Sequence, residues 1–150
     1  MHELISEINS ARDKKLITLL LFIDFRISFD LVDPSLLLLK LFHYGFGNNA
    51  LRLLSKYFSN RAQIVRLGKF FSKSKSTRLG VPQGSALGPL FFLIFINDLP
   101  FFLKELSSKL FADDTTLYKS AGNIDALIAE FRRDLLPFIE WCKFNRLDIN

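Results

Sequence analysis

Lys109–Tyr118 reads KLFADDTTLY, two short apolar runs around a pair of adjacent aspartates. Leu110–Ala112 and Thr115–Tyr118 favour β structure and Asp tolerates turn geometry. The stretch therefore predicts a tight antiparallel hairpin with Asp113 and Asp114 at its tip. Carboxylates crowded into one turn repel each other unless a cation sits between them, and hard oxygen ligands suit Mg²⁺. Successive side chains of a strand point to opposite faces, so two neighbours cannot aim alike at one ion. Asp113 is then the principal ligand and Asp114 an outer or partial one. Taken alone, the pair reads more simply as a solvated turn. Its meaning depends on what the rest of the chain supplies.

Upstream, Leu16–Phe25 (LITLLLFIDF) is a continuous apolar run, as expected of a strand buried on both faces, and it presents Asp24 at its end. That is where a metal site would be built, although an Asp there could equally cap the segment after it. Gly80–Pro89 (GVPQGSALGP) has the make-up of a ligand-binding loop running into a helix. Gly84 and Gly88 let the backbone pass close to a large ligand. Gln83 can both donate and accept, which suits a base or sugar edge. Gly88-Pro89 opens a helix over Leu90–Asn97, and Asp98 is read as a cap.

Between these segments, Asp33-Pro34 starts a helix over Leu36–Tyr44 that Gly45 stops, and Asn48 or Asn49 opens another to about Phe58. Arg61–Leu67 alternates as a strand, Gly68-Lys69 turns it, and Phe70–Leu79 returns. Met1–Lys15 carries a weak helical stripe of Leu4, Ile5 and Ile8. Asn123 caps an amphipathic helix whose stripe of Ile124, Leu127, Ile128, Phe131, Leu135, Phe138, Ile139 and Cys142 reads as core, kinked or split at Pro137. Leu147–Asn150 looks like the opening of another strand.

Composition narrows the classes. With 150 residues, 49% of them hydrophobic, the chain can bury a real core as one domain. One cysteine rules out an internal disulfide, and the two histidines lack partners at zinc-ligand spacing. Net charge is +5, unevenly distributed. No acidic residue occurs from Pro34 to Asn97, whereas Lys40, Arg52, Lys56, Arg61, Arg66, Lys69, Lys73, Lys75 and Arg78 all fall there. Such a field suits a polyanionic backbone better than simple solubility does. Leu79–Asn97 is uncharged, but prolines and glycines leave only Leu90–Ile96 continuously apolar, too short to span a bilayer. No signal-peptide layout is evident, and an intracellular location, cytoplasm or nucleus, is expected.

Three segments in this order, FIDFRISFD (Phe22–Asp30), GVPQGSALGPLFFLIFINDLP (Gly80–Pro100) and FADD (Phe111–Asp114), resemble the palm of a reverse transcriptase. They are similar in particular to the polymerases of jockey-like, LINE-type, non-LTR retrotransposons, over about Leu19 to Asn150. The resemblance implies an α+β fold: a polymerase palm-like antiparallel sheet with helices packed on one face, incomplete fingers and no thumb. Residues 1–150 would form a partial reverse transcriptase domain, the palm with the end of the fingers at its N-terminus.

By the same resemblance, Asp24, Asp113 and Asp114 are the catalytic carboxylates, holding two Mg²⁺ ions, with Mn²⁺ as a substitute. Phe29 crowds the sugar's 2′ position and so prefers deoxynucleotides. Asp30 supports the site without ligating. Gln83 and Gly84 contact nucleotide and template. Arg61, Arg66, Lys69, Lys73, Lys75 and Arg78 would track nucleic acid. Ser28 departs from the family's small apolar Ala, adding a hydroxyl that needs a partner if buried.

The implied function is RNA-directed DNA synthesis, extending a DNA primer on an RNA template from deoxynucleoside triphosphates, with no membrane. The oligomeric state is not legible. The rival is a catalytically inactive nucleic-acid-binding remnant of a retroelement. The 150 residues alone are not expected to polymerise efficiently.

Overall fold

The computed structural model describes residues 2–150. In chain order the elements are α1 (His2–Asp13), β1 (Ile17–Ile23), α2 (Ser28–Leu31), α3 (Pro34–His43), α4 (Asn48–Phe58), β2 (Ala62–Gln63), β3 (Arg66–Leu67), β4 (Phe70–Phe71), β5 (Lys75–Ser76), α5 (Gly88–Ile96), α6 (Leu99–Phe102), β6 (Ser107–Phe111), β7 (Asp114–Ala121), α7 (Ile124–Asp134) and α8 (Leu136–Asn145). The fold is mixed helix and sheet, and every strand pairing is antiparallel. The chain divides into two compact units, Met1–Arg26 with Asn97–Asn150, and Ile27–Ile96.

The first unit is built on a three-stranded sheet of order β1-β7-β6. Ile17↔Ala121 through Ile23↔Thr115 register β1 on β7, and Ser107↔Tyr118 through Phe111↔Asp114 register β6 on β7. Lys109 on β6 pairs with Glu3 and Glu7 of α1, and the Tyr118 hydroxyl donates to Glu7. Lys119 pairs with Glu130 and Asp134 of α7. Residues 118 and 119 are strand neighbours and point to opposite faces. Helices α1 and α7 therefore cover opposite faces, correcting the expectation of helices on one face only. The core includes Leu117, Leu127, Phe138 and Trp141. Cys142 is buried there, and burial pushes its thiol up to about 12, leaving it protonated and unreactive.

Strand β1 is not buried on both faces as its apolar run predicts. It lies at one end of the strand order, and Phe22 is 74% exposed. A continuous apolar run fixes the strand but does not fix its cover. The C-terminal expectation is met in miniature, by a single bridge between Phe25 and Ile149. Asn123 caps α7 by accepting from the Ala126 N–H, and the long predicted helix splits into α7 and α8 around Leu135, with Pro137 in the first turn of α8. Asp98 stands at the N-cap position of α6 without a side-chain cap bond. Its Oδ1 accepts from the indole Nε1–H of Trp141 at 3.0 Å, a buried donor that needed a partner.

The second unit carries α2 to α5 and a double hairpin. Asp33 caps α3 by accepting from Ser35 N at 2.8 Å, with Pro34 just inside, as its sequence predicts. Val32, Leu37, Leu41, Phe91, Phe92 and Phe95 are buried. So is Lys40, whose Nζ donates to the Phe95 carbonyl at 2.6 Å and stands 4.6 Å from that ring's centroid. A buried ammonium persists only with such partners.

The predicted 61–79 hairpin forms as two short ladders. Gln63 pairs with Lys75 and Arg66 with Phe71, so the return strand holds one residue more than its partner between these pairs. That is a bulge, with Lys73 and Ser74 on the longer side.

Candidate active site

Register and the β6–β7 turn bring the three aspartates to one end of the sheet. The β1–β7 ladder ends at Ile23↔Thr115, so one further step sets Asp24 opposite Asp114, at the end of the sheet where the β6–β7 turn lies. Since directly paired residues share a face, Asp24 and Asp114 lie on the face that carries Phe22, Phe111 and Lys109. Asp24 and Asp114 are exposed and Asp113 is half-buried. The turn differs by one residue from its sequence reading. Its two-residue loop is Ala112-Asp113, and Asp114 is the first residue of β7, paired with Phe111. Ala112 takes φ 54°, the left-handed region, as the first loop position of a II′-type hairpin requires. A side chain there is strained.

Asp24 is further fixed by the C-terminal segment. Its backbone carbonyl accepts from Asn150 N at 2.9 Å, and its Oδ2 accepts from Asn150 Nδ2 at 2.9 Å. Lys109, on the same face as Asp114, is held cationic well above its usual range by the Glu3 carboxylate first and Glu7 beside it. Three carboxylates at one sheet end are a donor set suited to a hard divalent cation. As oriented here they do not converge: among the described residues, no three His, Cys, Asp or Glu side chains form a group that could hold a metal ion. Asp24 is tied to Asn150.

The second unit brings Phe29, Gln83 and Gly84 together. They line a hollow of about 550 Å³ with Val81, Pro82, Ser85, Ala86 and the first two residues of α5, Gly88 and Pro89. Half-buried Phe29 packs on Phe92 with ring centroids 4.7 Å apart. The hollow's wall is closed by two backbone bonds, Gly80 N to Val32 O at 2.7 Å and Val81 N to Phe29 O at 2.9 Å. Gly80 is essential to that closure. It has φ +81°, and a Cβ added to it would lie 2.9 Å from Asp30 Cα. The Gln83 Nε2 donates to Asp30 Oδ1 at 2.8 Å, which orients the amide. That link joins residues 53 apart in sequence, and no spacing rule could have found it. Ser28 is buried.

The six predicted nucleic-acid-binding cations divide. Arg66, Lys69, Lys73, Lys75 and Arg78 are exposed. Arg61 is instead a clasp: its guanidinium donates to the carbonyls of Phe58, Leu79 and Gly80, anchoring the hairpin base.

The family model for reverse transcriptase (RNA-dependent DNA polymerase) matches residues 1–150. The chain belongs to the reverse transcriptase family. It is 31% identical over its whole length to a probable RNA-directed DNA polymerase from transposon BS, and 33% to one from transposon X-element, both of Drosophila melanogaster. It is 25% identical, again over its whole length, to the RNA-directed DNA polymerase from mobile element jockey of the same organism. The chain spans 17% of the length of each of these relatives.

Reverse transcriptases as a family depend on metal ions, which accords with the chemistry of the Asp24, Asp113 and Asp114 donor set. Three features of this reverse transcriptase segment lay beyond sequence reading: the Asn150 tie on Asp24, the Asp30–Gln83 bond and the Arg61 clasp. Each pairs a polar side chain with a group remote in sequence. No described helix is long and apolar enough to cross a membrane.

Proposed function

We propose that this chain is the palm portion, with the end of the fingers at its N-terminus, of an RNA-directed DNA polymerase that extends a DNA primer on an RNA template inside the cell. The observation that carries the proposal is the register that sets Asp24 opposite Asp114 and beside Asp113, within a family match covering the chain. Asp24 and Asp113 would hold two Mg²⁺ ions, with Asp114 assisting. Bound there, such ions supply activation of the primer 3′-hydroxyl and neutralisation of the departing pyrophosphate.

The protein's own part is placement, since phosphoryl transfer asks little covalent chemistry of it. Phe29 walls the sugar at its 2′ carbon, and a hydroxyl there would meet the ring. Gln83, oriented by Asp30, addresses the base or sugar edge of the incoming deoxynucleoside triphosphate. Gly84 admits the substrate backbone closely. The exposed cations of the hairpin neutralise template phosphates.

The test uses a polymerase that contains this segment. Asp24→Asn and Asp113→Asn should each lower primer extension on an RNA template with Mg²⁺ by about a hundredfold to a thousandfold, in line with the loss of one preorganised electrostatic partner. RNA binding should persist. Asp114→Asn should retain measurable activity. Near wild-type extension by either of the first two variants would refute the assignment. The rival reading, an inactive nucleic-acid-binding remnant, predicts no Mg²⁺-dependent extension even by the unsubstituted protein.

A further inference from the structure

We propose that the tip of the basic hairpin is a base-stacking site for unpaired nucleotides, with Phe70 and Phe71 as its two platforms. The inference deepens the polymerase reading by naming single-stranded template as the occupant. The three apolar side chains of the β3–β4 ladder are left almost bare: Leu67 is 79% exposed, Phe70 69% and Phe71 66%. The ladder pairs Arg66 with Phe71 and Leu67 with Phe70, so the two rings stand on opposite faces of the ribbon. Each ring has its own cation. The Arg66 guanidinium lies 5.5 Å from the Phe71 centroid, and the Lys69 ammonium 5.7 Å from that of Phe70.

Charge selects the occupant. No acid occurs anywhere from Pro34 to Asn97, and Lys73 and Lys75 continue the cationic edge along β5 and the bulge before it. An apolar protein partner has no use for that field, whereas a polyanion does. An exposed ring beside a cation can engage a strand whose base stacks on the ring while its phosphate meets the charge. A duplex cannot use the rings, because its base faces are stacked inside. The occupant is therefore an unpaired strand, gripped without sequence preference since every base has a π face.

The experiment measures binding of the full chain without metal or triphosphate, so it is independent of catalysis. The probes are a single-stranded RNA oligomer, a blunt RNA duplex, and an abasic strand of equal length and charge. Phe70→Leu and Phe71→Leu keep an apolar side chain but remove the ring. Each should weaken single-stranded RNA binding about fivefold to a hundredfold. Affinity for the abasic strand and the slope of affinity against salt should not change. Phe70→Trp and Phe71→Trp should restore or tighten binding, which separates stacking from a hairpin that merely fails to form. Lys73→Gln with Lys75→Gln should do the converse, flattening the single-strand salt slope by about 1.4 and weakening all three probes.

Unchanged single-stranded affinity in the Leu variants would overturn the proposal. So would equal losses on the abasic strand, or wild-type affinity for the duplex matching that for the single strand. If these comparisons fail while the Asp24 and Asp113 variants abolish extension, the stacking site alone is refuted. If extension persists in those variants while the Leu variants lose RNA affinity as stated, the catalytic assignment alone is refuted.

Discussion

Replacing Gly80 by Ala should damage the hollow beside Phe29 and Gln83 more than the same change at Gly84, although both glycines stand in one loop region and both have positive φ. Gly80 has φ +81° and Gly84 +76°, so either substitution forces a Cβ into left-handed backbone, at about 1–2 kcal/mol. Their surroundings differ. Nothing lies within 4 Å of a Cβ built on Gly84. One built on Gly80 would stand 2.9 Å from Asp30 Cα, 3.0 Å from Asp30 O and 3.2 Å from Asp30 C. All three are backbone atoms, well inside the usual carbon separation of about 3.5–4.0 Å, and they cannot rotate away. Relief requires the 80–81 and 29–32 segments to part, at the expense of the bonds from Gly80 N to Val32 and Val81 N to Phe29.

Overpacking of this kind adds about 1–3 kcal/mol, giving about 2–5 kcal/mol for Gly80→Ala against about 1–2 for Gly84→Ala. With a urea dependence of about 2 kcal/mol per molar, the midpoint should fall by about 1–2.5 M in the first case and by at most about 1 M in the second. Amide exchange at Gly80 and Val81 should accelerate in Gly80→Ala and stay near wild type in Gly84→Ala. Equal midpoint shifts, or unchanged protection at Val81, would refute the steric account and leave backbone conformation as the whole effect.

Three further outcomes are expected. Phe29→Val, in a polymerase containing this segment, should raise the ratio of ribo- to deoxynucleotide incorporation at least about tenfold; an unchanged ratio, normalised for total activity, would make Phe29 core packing on Phe92 and no more. Asp134, buried against Lys119 and Arg133, is held below the usual carboxylate range by Lys119 first, so its contribution is complete above the unfolded value of about 4 and lost as pH falls through the lower folded value. Asp134→Asn should therefore cost about 1.5–3 kcal/mol at neutral pH and flatten the acid limb of urea midpoint against pH; an identical acid limb would refute the linkage. Ala112→Gly removes the penalty of φ 54° at the hairpin loop and should stabilise by about 0.5 kcal/mol net of the looser unfolded chain, with a fall in urea midpoint as the refuting result.

Local rules acting over a few residues were legible in the sequence. Asp33-Pro34 and Asn123 cap their helices as their side chains dictate, Gly68-Lys69 turns its hairpin, and Pro137 divides the C-terminal helix, because each effect is settled within about one turn of chain. The order and content of the three motifs, with the acid-free stretch between them, also point to the reverse transcriptase family without any tertiary information. Cover and partnership were decided by tertiary structure. The apolar run of Leu16–Phe25 cannot state that β1 lies at the end of the strand order with Phe22 bare, nor can residues 118 and 119 state which helix each meets. The same holds for Arg61, read as a surface cation yet committed to three carbonyls, and for Asp98, read as a cap yet bonded to Trp141. A charged side chain takes whichever donor or acceptor the fold carries to it, and that partner lies 18, 19 or 43 residues away for the Leu79, Gly80 and Trp141 contacts. Asp24 and Asp114 are 90 residues apart in the chain and become neighbours only through the antiparallel register of β1 on β7. Carboxylates can be counted in a sequence, but which of them share one end of a sheet is fixed by hydrogen bonding along the ladder.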